Sequence, residues 1–279
     1  MKLKIIYKLN MKQLEYRKIK QIAYLLTIIF FTACGQNNRN SVEKSMTLLS
    51  DTLPLDTLPL DTLIVNNYIL FFEDADDFEK TDIFGDLDYR NKLTDTVKGS
   101  LFNKFRKIET YLTKYFNEYF YLTDSTLVLK LDNGDTMSFG RYVEEKHWND
   151  VNFIGYIFEH YFDKIDYYLL FIHYYEGNSW MLINRKNGFK KAINGLPYIS
   201  KDNKKIIAIN SDLYAGYSFN GIELYTILED SLKTEFSKET KWGALDVKWI
   251  NENEFLIKRE HSGTDRITDY KRVFIKKKN

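Results

Sequence analysis

The sequence predicts a mainly β fold, antiparallel sheets and hairpins with one N-terminal amphipathic helix, and three observations carry that reading. Aromatic residues make up 16% of the 279-residue chain, with 21 Tyr and 20 Phe; together with Ile and Val they suit a pleated, half-buried surface. Glycine is sparse at 13 residues and proline rarer, at Pro54, Pro59 and Pro197, so long stretches are free of breakers. Short apolar runs alternate with polar turns, two of them Asn-Gly, a strong hairpin signal. Each aromatic side chain buries roughly 150–250 Å², so the core is large.

In chain order, the first segment stands outside that fold. Lys12, Arg17, Lys18 and Lys20 precede the apolar stretch Ile22 to Phe31, and the small residues Thr32 and Ala33 lead to Cys34. A basic region, an apolar stretch of about ten residues and small residues before a cleavage point form an export signal; spanning a bilayer takes roughly 20 apolar residues. Met1 and Met11 both open such a basic segment.

The run Phe31-Thr32-Ala33-Cys34-Gly35 resembles the lipobox of bacterial lipoproteins, with Phe31 where that family usually has Leu. The resemblance implies removal of residues 1–33 and a mature N-terminal Cys34 carrying a diacylglyceryl thioether and an N-acyl group. It also implies a lipid-anchored protein of the bacterial cell envelope. Each buried methylene contributes ~0.8 kcal/mol and stable anchoring takes two signals, so a multiply acylated cysteine holds the chain firmly. Related lipoproteins exported to the cell surface can carry an acidic run after the cysteine. None follows Cys34, so the expected side is the periplasm.

Charge and cysteine count narrow the classes further. Residues 1–33 hold seven of the 40 Lys/Arg and one of the 39 Asp/Glu, leaving 33 basic and 38 acidic side chains, a formal charge of −5. Nucleic-acid binding requires clustered cations that displace counterions, so no nucleic-acid partner is expected. Cys34 is the single cysteine, so no internal disulfide forms even in a compartment that permits one.

Residues 34–65 read as the lipidated N-terminus and a tether. Its signature is a five-residue repeat, Asp51-Thr52-Leu53-Pro54-Leu55, Asp56-Thr57-Leu58-Pro59-Leu60, then Asp61-Thr62-Leu63. Each proline lacks an N–H and pushes its predecessor toward extended geometry, so the segment is a semi-extended spacer or a strap lying in a groove through its leucines.

Residues 66–279 are the mostly β domain. Tyr68 to Phe72 reads as a strand, followed by the acidic run Glu73 to Glu79. Counted from Asp74, a calcium loop of the EF-hand type needs glycine sixth and glutamate twelfth; Glu79 and Gly85 stand there, so a solvated acidic loop is expected. From Leu101 to Phe120, the residues Leu101, Phe105, Ile108, Leu112, Tyr115 and Tyr119 recur at steps of four and three, predicting a helix near 100–120 packed on a sheet. Thr126–Leu131 and Thr136–Phe139 flank Asn133-Gly134, Tyr167–Tyr174 and Trp180–Asn184 flank Glu176-Gly177-Asn178, and Lys186-Asn187-Gly188 turns into Phe189–Ile193.

Ile199 to Ile207 aligns, fifty residues on, with Trp249 to Ile257: an apolar strand end, an acidic-Asn turn and a new apolar strand. Each unit is followed by a long loop and a further strand, Gly221–Leu228 and Tyr270–Lys276. This pattern resembles the blades of β-propeller proteins, although Ser200-Lys201-Asp202-Asn203-Lys204 lacks the proline and glycine of the blade turn. The alternative fold is thus a small or incomplete β-propeller; a closed one has typically four to eight blades, and the chain from Thr126 onward holds about three units.

Catalytic patterns are not met. Gly216-Tyr217-Ser218-Phe219-Asn220-Gly221 places the second glycine one position late for a serine-hydrolase elbow. His147, His160, His173 and His261 lie singly, without zinc-ligand spacing, and there is no phosphate-binding glycine loop. No cofactor or metal is expected. If the repeated units superpose, the connections Tyr175–Ser179, Asp212–Asn220 and Glu260–Asp269 gather at one edge, where binding function concentrates. The candidate binding residues are Tyr214, Tyr217, Phe219 and Asn220 in one, and His261, Asp265 and Arg266 in another. The expected function is a binding or structural module for a protein or an envelope polysaccharide; the alternatives are an envelope hydrolase using carboxylates and an immunity- or inhibitor-type lipoprotein. Cys34→Ser is expected to abolish incorporation of labelled palmitate and to move the protein out of the membrane fraction; retention there, with no palmitate in the parent protein, would refute the lipobox reading.

Overall fold

The computed structural model describes residues 61–79, 101–143, 150–263 and 267–278. Cys34, the first two repeat units, Asp265 and Arg266 lie outside the described residues. The described residues are mainly β, in four antiparallel sheets. Sheet I contains β3 (Phe120–Leu122), β4 (Thr126–Lys130) and β5 (Thr136–Gly140). Sheet II is the meander β6 (Gly155–Phe162), β7 (Tyr167–His173), β8 (Asn178–Asn184) and β9 (Lys190–Ile193). Sheet III repeats it with β10 (Leu196–Ile199), β11 (Lys205–Asn210), β12 (Gly221–Ile227) and β13 (Leu232–Glu239). Sheet IV joins the two ends of the domain. Its order is β1 (Thr62–Val65), β2 (Tyr68–Asp74), β16 (Ile267–Lys277), β15 (Glu254–His261) and β14 (Trp242–Asn251). The sheets do not close into a barrel. Among the described residues no helix is long and apolar enough to cross a membrane.

Alternating side chains explain how the sheets stack. In β7, Tyr167, Leu169 and Phe171 enter a core shared with Ile206, Ala208, Tyr225 and Leu232 of sheet III. Tyr168 and Leu170, on the opposite face, pack with Leu127, Leu129 and Phe139 of sheet I. In β11 the same division sends Ile206 and Ala208 toward sheet II, and Ile207 and Ile209 toward Phe255, Ile257 and Val273 of sheet IV. Sheets II and III are therefore covered on both faces, which is why these strands read as continuous apolar runs.

A helix, α1 (Leu101–Tyr115), precedes sheet I. Ile108 and Leu112, four residues apart on one face, are buried among residues of sheets I and II. Glu109 binds Arg141 through two hydrogen bonds, 3.2 Å to Nε and 2.8 Å to Nη2, fastening α1 beside the end of β5. The helical stripe drawn from sequence extends to Phe120. In the structure the chain leaves the helix after Tyr115, and Phe120 opens β3, its ring stacked 4.0 Å from that of Phe158. An aromatic run satisfies either period when both elements face one core.

The two aligned sequence units occupy matching places. The Ser200–Lys204 turn joins β10 and β11 of sheet III, and the Asn251–Asn253 turn joins β14 and β15 of sheet IV. They lie side by side, with Lys205 Nζ donating to Glu252 O at 2.9 Å and Asn253 Oδ1 at 2.7 Å.

Residues 62–65, assigned to the tether from sequence, form the edge strand β1, paired with β2 from Thr62↔Phe71 to Val65↔Tyr68. The acidic run after β2 is paired with sheet IV: Asp74 with Lys271 and Asp77 with Arg272, each at 2.7 Å, and Glu79 with Lys258 at 3.5 Å.

Arg259 is 4% exposed and lies between two carboxylates. Its Nε and Nη2 donate to Asp269 at 3.0 and 2.7 Å, and Nη2 also reaches Asp61 at 3.1 Å. The guanidinium sits over the rings of Phe72 and Trp242 at 5.2 and 5.1 Å. Burial on its own would raise the Asp269 carboxyl; hydrogen bonding and charge from Arg259, then His261, outweigh it and hold the group below the usual Asp range. Because the folded-state value is depressed, the contribution is complete above the ordinary Asp value of about 3.9 and is lost as pH falls through the folded value. Arg259→Ala is expected to cost about 1–3 kcal/mol, through loss of its charge-assisted hydrogen bonds and of its packing on Phe72 and Trp242, and Asp269→Asn to flatten the acid limb of stability. Urea unfolding from pH 7 to 2 checks both.

Candidate binding face

The connections β7–β8 and β11–β12 each link the two central strands of a four-stranded meander, and β15 and β16 are adjacent strands of sheet IV. The first two touch directly: Asn178 N–H donates to Ser218 Oγ at 2.9 Å. Gly177 has φ +94°, and a Cβ there would lie 2.7 Å from Tyr217 O, so glycine is required on two grounds. The second connection meets sheet IV where Ser211 hydrogen-bonds Glu260 and where Gly243 leaves room for the Ser211 side chain. The β7–β8 and β11–β12 connections and the neighbouring strand ends of sheet IV thus lie side by side.

Polar side chains, rather than a hydrophobic centre, fix the Ser211–Asn220 loop. The Asp212 carboxylate accepts the backbone N–H groups of Gly216 at 3.1 Å and Ser218 at 2.5 Å. Asn220 Oδ1 accepts the N–H of Asp212 at 3.0 Å, while its Nδ2 donates to Thr240 O at 2.8 Å and Trp242 O at 3.2 Å. Asn210 Nδ2 donates to Phe219 O at 2.7 Å. The loop's own polar groups are consumed in holding its shape, and its tyrosines point outward.

That arrangement divides the residues singled out from sequence. Tyr214 and Tyr217 are 53% and 62% exposed and form part of the face. Phe219 is half-buried, its ring set where a Cβ on Gly221 would come within 2.9 Å. Asn220 is a structural staple whose hydrogen-bonding groups are engaged inside the protein. His261, at the end of β15, has Nε2 3.3 Å from Asp269 Oδ2 and belongs to the Arg259 cluster. Asp265 and Arg266 lie outside the described residues.

Sequence reasoning missed several apolar residues at this end. Tyr175, in the β7–β8 connection, is exposed, as are Val151 and Ile154 in the segment entering β6 and Ile267 at the start of β16. Isolated apolar residues in loops have no periodicity, so only the shared end of the sheets reveals them as a group.

Below the face, polar groups stand at the loop end of the otherwise apolar layer between sheets II and III. Glu223, 2% exposed, accepts two hydrogen bonds from Asn194, 2.7 Å from N and 2.9 Å from Nδ2. His173 packs 4.2 Å from Tyr142, and burial lowers its imidazole below the ordinary His range. On β8, Asn178 Oδ1 and Trp180 Nε1 are buried with no hydrogen-bond partner among the described residues. Among the described residues no cluster of His, Cys, Asp or Glu is arranged to hold a metal ion. The face thus presents exposed aromatic side chains above a layer of buried hydrogen-bonding groups.

Comparison with protein-family models, curated proteins and solved structures finds no match to this chain. Asp212→Ala is expected to release two backbone donors and cost the loop about 1–3 kcal/mol of local protection. Hydrogen exchange checks this: Gly216 and Ser218 should exchange faster, with the urea midpoint of the whole domain nearly unchanged.

Proposed function

We propose that the chain is a membrane-anchored lipoprotein of the bacterial envelope whose β domain is a non-enzymatic binding module for a protein or an envelope polymer. The single observation that carries the binding reading is the pair of exposed tyrosines, Tyr214 and Tyr217, held on a loop whose shape is set by Asp212 and Asn220. Rigidly presented tyrosine gives large amphipathic contact area and loses little conformational entropy on binding. The Thr32-Ala33-Cys34-Gly35 run supports the anchor, and the 26 residues between Cys34 and Asp61 can span at most about 90 Å. The stacked meanders, with the first and last strands sharing sheet IV, support kinship of form with an open, propeller-like arrangement of blades.

The hydrolase reading requires convergent carboxylates in one concave site. Buried Glu223 instead has both oxygens engaged by the neutral donors of Asn194, which favours the binding module.

A photo-crosslinking amino acid at position 217 tests the face in living cells, with position 187 on the opposite end of sheet II as reference. The expected outcome is a reproducible adduct at 217 that is lost when Tyr214→Ala is added. Equal adducts from both positions, or none from 217, would sink the reading.

A further inference from the structure

The repeat continues into the fold. Its three copies read Asp-Thr-Leu-Pro-Leu at 51–55 and 56–60 and Asp-Thr-Leu-Ile-Val at 61–65. The third copy is β1 with the aspartate before it, and its alternate residues have defined roles. The Asp61 carboxylate lies 3.1 Å from Arg259 Nη2 and 3.3 Å from Lys271 Nζ. Leu63 packs on the core between sheets III and IV, and Val65 is buried in it.

The ladder adds a second constraint. Phe72 N–H donates to Asp61 O at 3.0 Å, and pairing then runs Thr62↔Phe71, Leu63↔Leu70, Ile64↔Ile69, Val65↔Tyr68. Hydrogen-bonded and non-hydrogen-bonded pairs alternate along an antiparallel ladder, so Ile64 is in a non-hydrogen-bonded pair and its N–H points away from β2. Proline at that position removes no ladder bond, as on other edge strands. Pro54 and Pro59 stand at this fourth position in the upstream copies. Those copies also have aspartate where Arg259 takes a carboxylate, leucine at the core-facing third position and an apolar residue at the fifth.

We propose that the outer edge of β2, with Arg259 and Lys271, is a docking site for which the repeat copies of this chain compete, so that Asp56–Leu60 exchanges with Asp61–Val65 as the edge strand. The exchange lengthens the link to β2 from the two residues Asn66 and Asn67 to the seven residues 61–67, at a closure cost that grows only slowly with length. It also removes the hydrogen bond from Asn66 Nδ2 to Glu235 O, 3.1 Å in the resident register, so the third copy is the principal occupant. Each exchange moves the docked point five residues, about 17 Å of extended strand, along the chain. That last consequence, a stepwise change in the domain's reach from the membrane, rests on the anchor at Cys34; the docking does not.

Disulfide trapping in the full-length chain tests the exchange. The non-hydrogen-bonded pair Thr62↔Phe71 brings its Cβ atoms within bridging range. Thr62→Cys with Phe71→Cys reports the resident register, and Thr57→Cys with Phe71→Cys reports the exchanged one, the linked peptides being identified by mass mapping. A 57–71 link within one chain is expected at low yield in the parent background. It should rise about tenfold with Asp61→Asn, as for loss of one charge-assisted hydrogen bond, and fall back when Asp56→Asn is added. Absence of the 57–71 link under conditions that complete the 62–71 link overturns the proposal. So does a link formed only between two chains, or one indifferent to Asp56→Asn. Because the readout is strand register, failure here leaves the binding-face and anchor readings as they stand.

Discussion

Coverage of sheets II and III on both faces is the constraint on which the rest of the molecule depends. A strand buried on both sides has no solvent-facing register, so each residue of β7 and β11 must satisfy one of two cores. Tyr167 and Tyr168 show the cost of that arrangement: both are almost completely buried, and Tyr168 OH meets Lys130 O at 2.5 Å. A buried hydroxyl without such a bond would be destabilising, so the seam between sheets I and II depends on a few such contacts as well as on apolar area. At the strand ends, the connections use polar side chains such as Asp212 and Asn220 as staples.

The loop face follows from the same constraint. The stacking of sheets II and III brings the β7–β8 and β11–β12 connections together, and close packing at this end leaves little room, as Gly177 and Gly243 record. Asp212, Asn210 and Asn220 then hold a ten-residue loop without a hydrophobic centre of its own. A surface preorganised in this way meets a partner with little rearrangement, whereas an unstapled loop would have to be ordered at the moment of contact.

Much of the strand layout was legible in the sequence. Asn133-Gly134 and Asn187-Gly188 mark turns whose glycines have positive φ, and the alignment of Ile199–Ile207 with Trp249–Ile257 locates the matching turns of sheets III and IV. Stacking order was not legible, because a doubly buried strand erases the period-two pattern that would show which face meets which neighbour. The end of α1 was misplaced since Phe116, Tyr119 and Phe120 satisfy a helical stripe and a strand equally. Among candidate site residues, Tyr214 and Tyr217 are identifiable as loop aromatics, whereas the sequence does not show that the Asn220 amide is spent on Thr240 and Trp242. An asparagine's chemistry is the same in both roles, and only its neighbours decide between them. Arg259 drew no notice because its partners, Asp61 and Asp269, are distant in sequence or lie across a hairpin.

Sheet IV also dictates an order of events during synthesis. β2 pairs with β16 from Asp74↔Lys271 to Tyr68↔Lys277, so strands made early wait for those made last. Until β16 emerges, the β1–β2 hairpin has only its own two-stranded pairing, which is marginal in water. Closing so long a span is a slow step. A chain truncated before β16 would therefore leave its first two strands unattached, carrying whatever lies upstream on a loose end. Attachment of the β1–β2 hairpin to sheet IV therefore waits for β16, the strand furthest from it along the described chain.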